Sequence, residues 1–435
     1  MTIYYVDQTG GNDGWGGTFA APWKTLAKVQ ATIIAGDEAL LKCGETWAEM
    51  LTIPASNIRI GNYGSGAQPI VTGSDLRNNC ILSDGKNNII IDGIKATAAV
   101  WETIYIKNSA NSVIKNCTAT DTKIGITFED SINIYVYNNI VSLCDNDGIS
   151  ANDCIGGTIS DNNVSVCGVV TDDRSGISLF MACAGISVHD NVCYDSVNVG
   201  AVGIRGIIVD TVGNTGTNYV YQNKCYNNDG GGIEIYLSNN QVVHTNICYD
   251  NGDVADWFDG ICMHDCTGGV VYNNTCYGNR NSSIRCRDAF GCTIKNNIGW
   301  QIGNSCFITE AGGATSHIVD YNNWYGVANE YDWNGTTYAT SALFYAATGQ
   351  GQHDFTTDPL CVGVADYHLQ AGSPCRGAGV NVGMTEDYDG MPIPPVPDIG
   401  AYQYPFARVI VVNPPRITRK GFVPFSNKGH HYHGG

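Results

Sequence analysis

Residues 241–274, QVVHTNICYDNGDVADWFDGICMHDCTGGVVYNN, contain one full period of the repeat that decides the fold. The period runs from Asn246 to Asn274, and each of these asparagines follows a short run that contains β-branched residues. Between them stands a second mark, Gly260 followed by the apolar Ile261. The runs are short and alternate in polarity, with no helical period, so they predict β-strands.

Both marks recur through the middle of the chain. The asparagines return at spacings of 23 to 32 residues, as Asn116, Asn139, Asn163, Asn191, Asn223, Asn246, Asn274, Asn297 and Asn323. The second mark returns between them, as Gly125-Ile126, Gly148-Ile149, Gly176-Ile177, Gly203-Ile204, Gly232-Ile233, Gly260-Ile261, Ser283-Ile284 and Ser305-Cys306. This unit is too short for a propeller blade and lacks the leucine spacing of a leucine-rich repeat. The pattern predicts an all-β solenoid, a parallel β-helix with one coil per repeat and stacked asparagines at a turn.

The cysteines follow the same period. Four of the 18 cysteines stand two residues after a repeated asparagine: Cys193, Cys225, Cys248 and Cys276. Equal positions of successive coils lie above one another, so these side chains should form one inward column. A reduced column suits the apolar character of the thiol, and disulfides between coils are the alternative.

The two ends of the chain resemble a known family. YYVDQTGGNDG (residues 4–14), APWKTLAKV (residues 21–29) and GETW (residues 44–47) resemble the opening of right-handed parallel β-helix, pectin-lyase-like proteins. The resemblance implies a right-handed solenoid whose N-terminal helical cap starts near PWKT and covers the open end of the core. DYHL (residues 366–369) and DIGAY (residues 398–402) resemble the closing segment of such proteins.

These observations predict four parts of the chain. They are an N-terminal cap (1–57), the β-helix (58–325), a C-terminal closing segment (326–404) and a docking tail (405–435). The tail is basic, with Arg408, Arg416, Arg419, Lys420 and Lys428, in an otherwise acidic chain. We interpret it as an extension that docks on other virion subunits in a homotrimer, and a solvated terminus is the alternative.

Charge and hydropathy exclude two classes of partner. Lysine and arginine number 23 against 41 acidic residues, a net charge of −18, which repels nucleic acid. No run approaches the roughly 20 apolar residues of a membrane span. The first residues, 1–7, have no basic or apolar leader pattern, so we expect no secretory signal.

Outward positions after the Gly-Ile mark suggest a binding surface. In the later coils these positions gather six candidate substrate-binding residues: Arg205, Glu234, Tyr236, His264, Arg285 and Arg287. Planar guanidinium groups beside an aromatic ring suit the recognition of a sugar or a carboxylate. The alternative is a solvated face on which Glu234 pairs with its neighbouring arginines.

A candidate metal site lies one position further along the strands. Asp265, Asp288 and Glu310 should stack there, and closely spaced carboxylates attract a cation, so calcium is the candidate cofactor. Aspartates that cap turn amides are the alternative. The CMHDC run at residues 262–266 has a zinc-like spacing but shows no fourth ligand.

Two functions follow from these features. The first is a phage virion structural protein (a tailspike, fibre or capsid decoration) whose β-helix contacts a cell-surface or extracellular polysaccharide. The second, which the family resemblance implies, is a polysaccharide lyase or glycoside hydrolase. The first predicts a protein located in the virion, and the second an extracellular one.

Overall fold

The computed structural model describes residues 1–168, 174–196, 203–212, 216–252, 259–301, 305–309, 316–363 and 366–404. The predicted tail, 405–435, lies outside the described residues. The strands are β1 (Ile3–Val6), β2 (Glu38–Lys42), β3 (Thr46–Trp47), β4 (Leu51–Thr52), β5 (Arg59–Tyr63), β6 (Ile70–Thr72), β7 (Asn79–Asp84), β8 (Ile90–Asp92), β9 (Lys95–Lys107), β10 (Val113–Lys115), β11 (Thr118–Glu129), β12 (Ile132–Tyr137), β13 (Ile140–Cys144), β14 (Ile149–Asn152), β15 (Ile155–Ser160), β16 (Asn163–Cys167), β17 (Ser175–Phe180), β18 (Ala184–His189), β19 (Val192–Tyr194), β20 (Arg205–Asp210), β21 (Tyr219–Tyr221), β22 (Lys224–Tyr226), β23 (Ile233–Tyr236), β24 (Val242–His244), β25 (Ile247–Tyr249), β26 (Ile261–His264), β27 (Val270–Tyr272), β28 (Thr275–Tyr277), β29 (Ile284–Arg287), β30 (Thr293–Lys295), β31 (Ile298–Trp300), β32 (Phe307–Thr309), β33 (Ile318–Asp320), β34 (Asn323–Tyr325), β35 (Tyr331–Trp333), β36 (Thr336–Tyr338), β37 (Cys361–Gly363) and β38 (Asp366–Leu369).

The strands form the three parallel faces of a β-helix, as the repeat predicts. Face 1 is a 13-stranded parallel sheet that begins at β1 and ends at β33. Face 2 runs through β13, β16, β19, β22, β25, β28, β31 and β34, and face 3 through β14, β17, β20, β23, β26, β29, β32 and β35. The long strands β9 and β11 belong to both of the latter faces and join them.

The interior of face 1 is a column of β-branched residues in unbroken register. From Ile60 onward the inward positions pair from coil to coil as Ile60, Ile91, Ile114, Val136, Ile159, Val188, Val220, Val243, Val271, Ile294 and Val319. All of them are buried. Branched side chains pack well on a pleated, fully buried surface, which explains their use here.

The predicted asparagine stack is present as a buried amide ladder. Its members are Asn139, Asn162, Asn191, Asn223, Asn246, Asn274, Asn297 and Asn322. Each Nδ2 donates to the Oδ1 of the next member at 2.9–3.0 Å. Each backbone N–H donates to the same Oδ1, so every rung satisfies buried backbone as well as side-chain groups.

Three predicted members of the stack are wrong by one residue. Asn116, Asn163 and Asn323 stand beside the ladder, whose true positions are Cys117, Asn162 and Asn322. The ladder position is the third residue after the inward β-branched residue of face 1, so that residue sets the register. Adjacent asparagines obscure this at 162–163 and 322–323, whereas in the coil of Asn116 the ladder position holds a cysteine.

The glycine mark is confirmed, with two corrections of register: Gly206-Ile207 replaces Gly203-Ile204, and Cys306-Phe307 replaces Ser305-Cys306 because Ile284 pairs with Phe307. The column consists of Gly125, Gly148, Gly176, Gly206, Gly232 and Gly260. A Cβ at any of them would lie 2.5–2.8 Å from the carbonyl oxygen of the residue at the same position in the next coil. Gly206, and not the predicted Gly203, occupies the column because the GIRGI run (203–207) carries the mark twice.

The predicted cysteine column is also confirmed. Cys193, Cys225, Cys248 and Cys276 pair coil to coil on face 2, all fully buried. Their thiols are free, as are those of the other cysteines.

Two short helices lie near the ends of the solenoid. Helix α1 (Leu26–Thr32) begins after Thr25, whose side chain accepts from the backbone N–H of Lys28, and buries Leu26 and Val29 in the core. Its role as a cap stays a prediction, and the parallel ladder already starts at β1 within the predicted cap segment. Helix α2 (Ser341–Thr348) buries Phe344 against Tyr331 at the other end, at a ring distance of 4.1 Å. Among the described residues, no helix is long and apolar enough to cross a membrane.

The segment before the tail packs along the side of the coils. Tyr367 contacts Tyr249 and Tyr277, outward residues of face 2, at ring distances of 5.4 and 5.6 Å. Ile399 belongs to the same apolar cluster, and Asn273 Nδ2 donates to the carbonyl oxygen of Asp398. These contacts involve face 2. This part of the predicted closing segment therefore covers face 2, and these contacts leave face 3 uncovered.

Candidate functional site

Five of the six predicted substrate-binding residues lie together on face 3. Strands β23, β26 and β29 are neighbours, and their register places corresponding outward residues side by side. The two outward columns consist of Glu234, Cys262 and Arg285, and of Tyr236, His264 and Arg287. The predicted alternation of strand residues therefore holds in these three coils.

Arg205 reaches the same place from a different position. The sequence analysis put it in the column of Glu234, but Ile208 occupies that column and Asp210 the column of Tyr236. Arg205 stands three residues earlier, at the start of β20, because Gly206 and not Gly203 marks this coil. Its side chain nevertheless extends to Glu234, with Nε 2.5 Å from Oε2.

Glu234 is the centre of the site. It is 7% exposed, and its two oxygens have different partners: Oε2 pairs with Arg205, and Oε1 lies 2.9 Å from Nδ1 of His264. Burial alone would raise the pKa of Glu234, but the Arg205 charge and the His264 hydrogen bond lower it below its usual value. The carboxylate therefore stays ionised and fixes the His264 ring with Nδ1 toward Glu234.

A second buried ion pair borders this network. Arg285 Nε lies 3.0 Å from Asp259 Oδ2, and both residues are almost completely buried. Asp259 also accepts hydrogen bonds from Ser282 Oγ and Asn281 Nδ2 at its other oxygen. Arg285 is thus held rigidly beneath the surface by a residue of the preceding turn.

The accessible part of the site is aromatic and cationic. The rings of Tyr236 and His264 lie 4.6 Å apart with an angle of 43° between their planes. Both residues, and Arg287 in the next coil, are partly exposed. The arrangement offers a ring surface, an imidazole Nε2 and a guanidinium group above a buried layer of paired charges.

A polar cleft opens at the corner between faces 2 and 3. Its volume is about 450 Å³, and it is lined by Asn227, Asn228, Asp229, Asp250, Asn251, Gly252, Gly278 and Arg280. Asn228, Asn251 and Asn279 form a second amide ladder behind it, with Nδ2 to Oδ1 distances of 2.9–3.0 Å. The sequence analysis missed this ladder, although its members stand five residues after Asn223, Asn246 and Asn274 and therefore recur with the same spacing.

The predicted metal residues occupy a turn column. Asp265 and Asp288 are exposed and adopt left-handed backbone with φ of 48° and 46°, while Glu310 lies outside the described residues. Earlier coils have Asn108, Asp130 and Asp153 at this position, with φ of 51°, 48° and 51°. Asn and Asp tolerate left-handed backbone better than other non-glycine residues, which accounts for the column without an ion. Calcium binding there stays a prediction.

The comparisons with known proteins agree with the architecture. The family model described as "Right handed beta helix region" matches residues 60–215 and 206–324. No match was found among curated proteins.

Several solved structures share the fold at low identity. XylC, solved in complex with xylose, has a TM-score of 0.62 and 10% identity over 92% of this chain and 98% of that one. The A-module of mannuronan C-5 epimerase AlgE6 from Azotobacter vinelandii has a TM-score of 0.53 and 15% identity over 77% and 95%. DFA-IIIase from Arthrobacter chlorophenolicus A6, solved with GF2, has a TM-score of 0.50 and 11% identity over 69% and 87%.

Proposed function

We propose that this chain, which belongs to the right-handed β-helix family, binds a polysaccharide along face 3, across the coils that carry Tyr236, His264 and Arg287. The observation that carries the proposal is the network around Glu234. Its paired carboxylate holds Arg205 and His264 in fixed positions before any ligand arrives. A preorganised site loses little side-chain entropy on binding, which favours recognition of a weakly binding, hydroxyl-rich ligand.

The shape of the surface suits a polymer. Equivalent outward positions repeat at the strand spacing of about 4.8 Å, so a linear chain lying across the coils passes Tyr236, His264 and Arg287 in succession. Tyr236 offers a ring for stacking on a sugar face, and Arg287 offers a planar donor for hydroxyl or carboxylate groups. The sugar ligands and substrates in the names of XylC, the epimerase and DFA-IIIase support the same class of ligand.

Binding can be measured with a panel of acidic and neutral polysaccharides by affinity electrophoresis and calorimetry. We expect Tyr236→Ala to weaken binding of the recognised polysaccharide by about tenfold, since a stacked ring contributes roughly 1–1.5 kcal/mol. Tyr135→Ala is the matched control, because Tyr135 is an exposed tyrosine of face 1, away from the site. Equal losses in both variants, or no binding to any member of the panel, would contradict the proposal.

A lyase is the second candidate, and the Glu234–His264 pair favours it. With Nδ1 of His264 held by a carboxylate, Nε2 is the atom that can take a proton from a sugar carbon. Arg287 lies beside His264 in the next strand and can hold the uronate carboxylate. Incubation with uronate polysaccharides should then release unsaturated products, and Glu234→Ala or Arg285→Ala should stop the release. Products that form equally with His264→Gln would exclude this role.

The virion role is a separate proposal that rests on the tail. Residues 405–435, which lie outside the described residues, carry positive charge in an acidic chain. We expect the full chain to be a homotrimer by light scattering, and deletion of 405–435 to abolish assembly or docking on other virion subunits. A monomer that the deletion leaves unchanged would contradict this role and its virion location, and would favour the extracellular one.

A further inference from the structure

Three metal-binding side chains from two neighbouring coils meet inside the solenoid. Cys286 points inward from β29, Cys292 stands just before β30, and His317 stands just before β33 in the next coil. Their ligand atoms all lie within 4.8 Å of one another, and all three residues are buried. The sequence analysis did not single out this group, because the three residues belong to different strands and turns.

A fourth thiol lies beside them. Cys266, from the turn after β26 in the preceding coil, is 1% exposed, and interaction with the thiol of Cys292, together with burial, raises the pKa of the Cys266 thiol. Three thiols and one imidazole are the donor set of Cys₃His zinc sites. Cys266 also belongs to the zinc-like run at 262–266, in which Cys262 and His264 occupy outward positions of face 3.

The cysteine column of face 2 provides a contrast within the same core. Cys193, Cys225, Cys248 and Cys276 follow one another at a single inward position, one per coil and without a histidine. In the part of the chain that the structure describes, only Cys286, Cys292 and His317 bring three ligand atoms this close together. A column of thiols serves as apolar packing, whereas a convergent group of thiols and imidazole matches the needs of a soft metal ion.

We propose that Cys286, Cys292 and His317, with Cys266 as the fourth ligand, bind one zinc ion that ties three coils of the solenoid together. Tetrahedral zinc, with Zn–S of about 2.3 Å and Zn–N of about 2.0 Å, places its ligand atoms roughly 3.5–3.8 Å apart. The ligand atoms of Cys286, Cys292 and His317, which lie within 4.8 Å of one another, therefore need a contraction of about 1 Å or less. The Cys266 thiol lies outside this group and has to rotate toward it to complete the site. Binding displaces the thiol protons to solvent, so the affinity should fall as the pH is lowered.

One existing hydrogen bond must be replaced for the metal to bind. Nδ1 of His317 accepts from the backbone N–H of Cys292 at 3.1 Å. Three coils earlier, in the same column, Oε1 of Gln241 accepts from the backbone N–H of Asn218 at 2.8 Å. The solenoid thus accepts glutamine at this position, and His317→Gln should keep the backbone satisfied while removing the metal ligand.

The test uses the full chain refolded with Co²⁺ as a spectroscopic substitute for zinc, because the site is closed in the folded protein. We expect thiolate–cobalt absorption that saturates at about one equivalent per chain and disappears when zinc is added. His317→Gln and Cys292→Ser should weaken metal binding by tenfold or more, while Cys248→Ser, a buried thiol of the face 2 column, should leave it unchanged.

Melting temperatures give an independent measure. A chelator present during refolding should lower the melting temperature of the wild type and of Cys248→Ser, but not that of His317→Gln. Refolded wild-type protein without thiolate–cobalt absorption would overturn the proposal, as would equal binding by wild type and His317→Gln. Neither result depends on whether face 3 binds a polysaccharide.

Discussion

The amide ladder and the outward columns of face 3 follow the same coil geometry but differ in what they repeat. The ladder places asparagine at eight successive coils from Asn139 to Asn322. The outward column that contains Glu234 reads Ser178, Ile208, Glu234, Cys262 and Arg285. In the interior of the solenoid, one hydrogen-bond partner of each ladder amide is the equivalent side chain of the next coil, so the residue type must repeat. Outside, solvent and neighbouring side chains supply partners, so the residue type is free to change and to serve binding.

The largest expected effect is in the ladder. Asn246→Leu removes the acceptor of the buried backbone N–H of Asn223, one of the three acceptors of Asn223 Nδ2, and the amide donor to the carbonyl oxygen of Val220. We expect a loss of about 4 kcal/mol in the free energy of unfolding, measured by denaturant titration. The control is Asn163→Ala, an exposed asparagine next to a ladder position, which should change the stability by less than about 0.5 kcal/mol. Similar losses in the two variants would contradict the assigned register.

The next effect tests the charged centre of face 3. Glu234→Gln removes the Glu234 counter-charge from the buried Arg205, and we expect it to cost about 3 kcal/mol. The double variant Arg205→Met/Glu234→Leu removes both charges and should recover most of this loss. A double variant as unstable as the single one would show that packing, and not charge pairing, determines the stability here.

The end of the ladder should respond to pH. Asp354 occupies the position after Asn322 and accepts hydrogen bonds from that residue, from Trp324 and from Tyr331. Burial raises the pKa of Asp354 to about 7, above its value of 3.8 in the unfolded chain. The folded protein thus holds a proton that the unfolded chain has released, so the contribution of Asp354 to stability falls as the pH rises through this window.

Asp354→Asn should remove this dependence. Relative to the variant, the wild type should lose about 2 kcal/mol of stability between about pH 5 and pH 7, measured by denaturant titration at each pH. A difference between the two proteins that stays constant with pH would show that Asp354 is ionised throughout.

The smallest effect belongs to the turn column of face 3. Asp288→Asn should change the free energy of unfolding by less than about 0.5 kcal/mol, since Asn108 already occupies this column with the same left-handed backbone. Asp288→Val should cost about 1–2 kcal/mol, because a branched side chain strains that backbone. If calcium raises the melting temperature of the wild type but not of Asp288→Asn, the column binds the ion, as the sequence analysis predicted.

Most of the fold was predictable because the repeat is a direct consequence of stacking. The coil period, the glycine mark and the cysteine column share one cause. Equal positions of successive coils are neighbours in space, and at these positions they carry the same residue type. The register errors at Asn163 and Gly203 arose where the sequence offers the same mark twice within a few residues. At these two places the inward β-branched residue and the close contacts of the glycine set the register. Both depend on which residues face the core.

The sequence by itself determined that this chain winds into parallel coils, because every coil must bury the same face against its neighbours. It also identified the residues around Glu234, since strand alternation places them outward. Only the tertiary structure decided that Arg205 pairs with Glu234, that Asp259 holds Arg285, and that Cys286, Cys292 and His317 converge. Those contacts join turns and strands of different coils at distances set by side-chain reach, which a coil period does not encode.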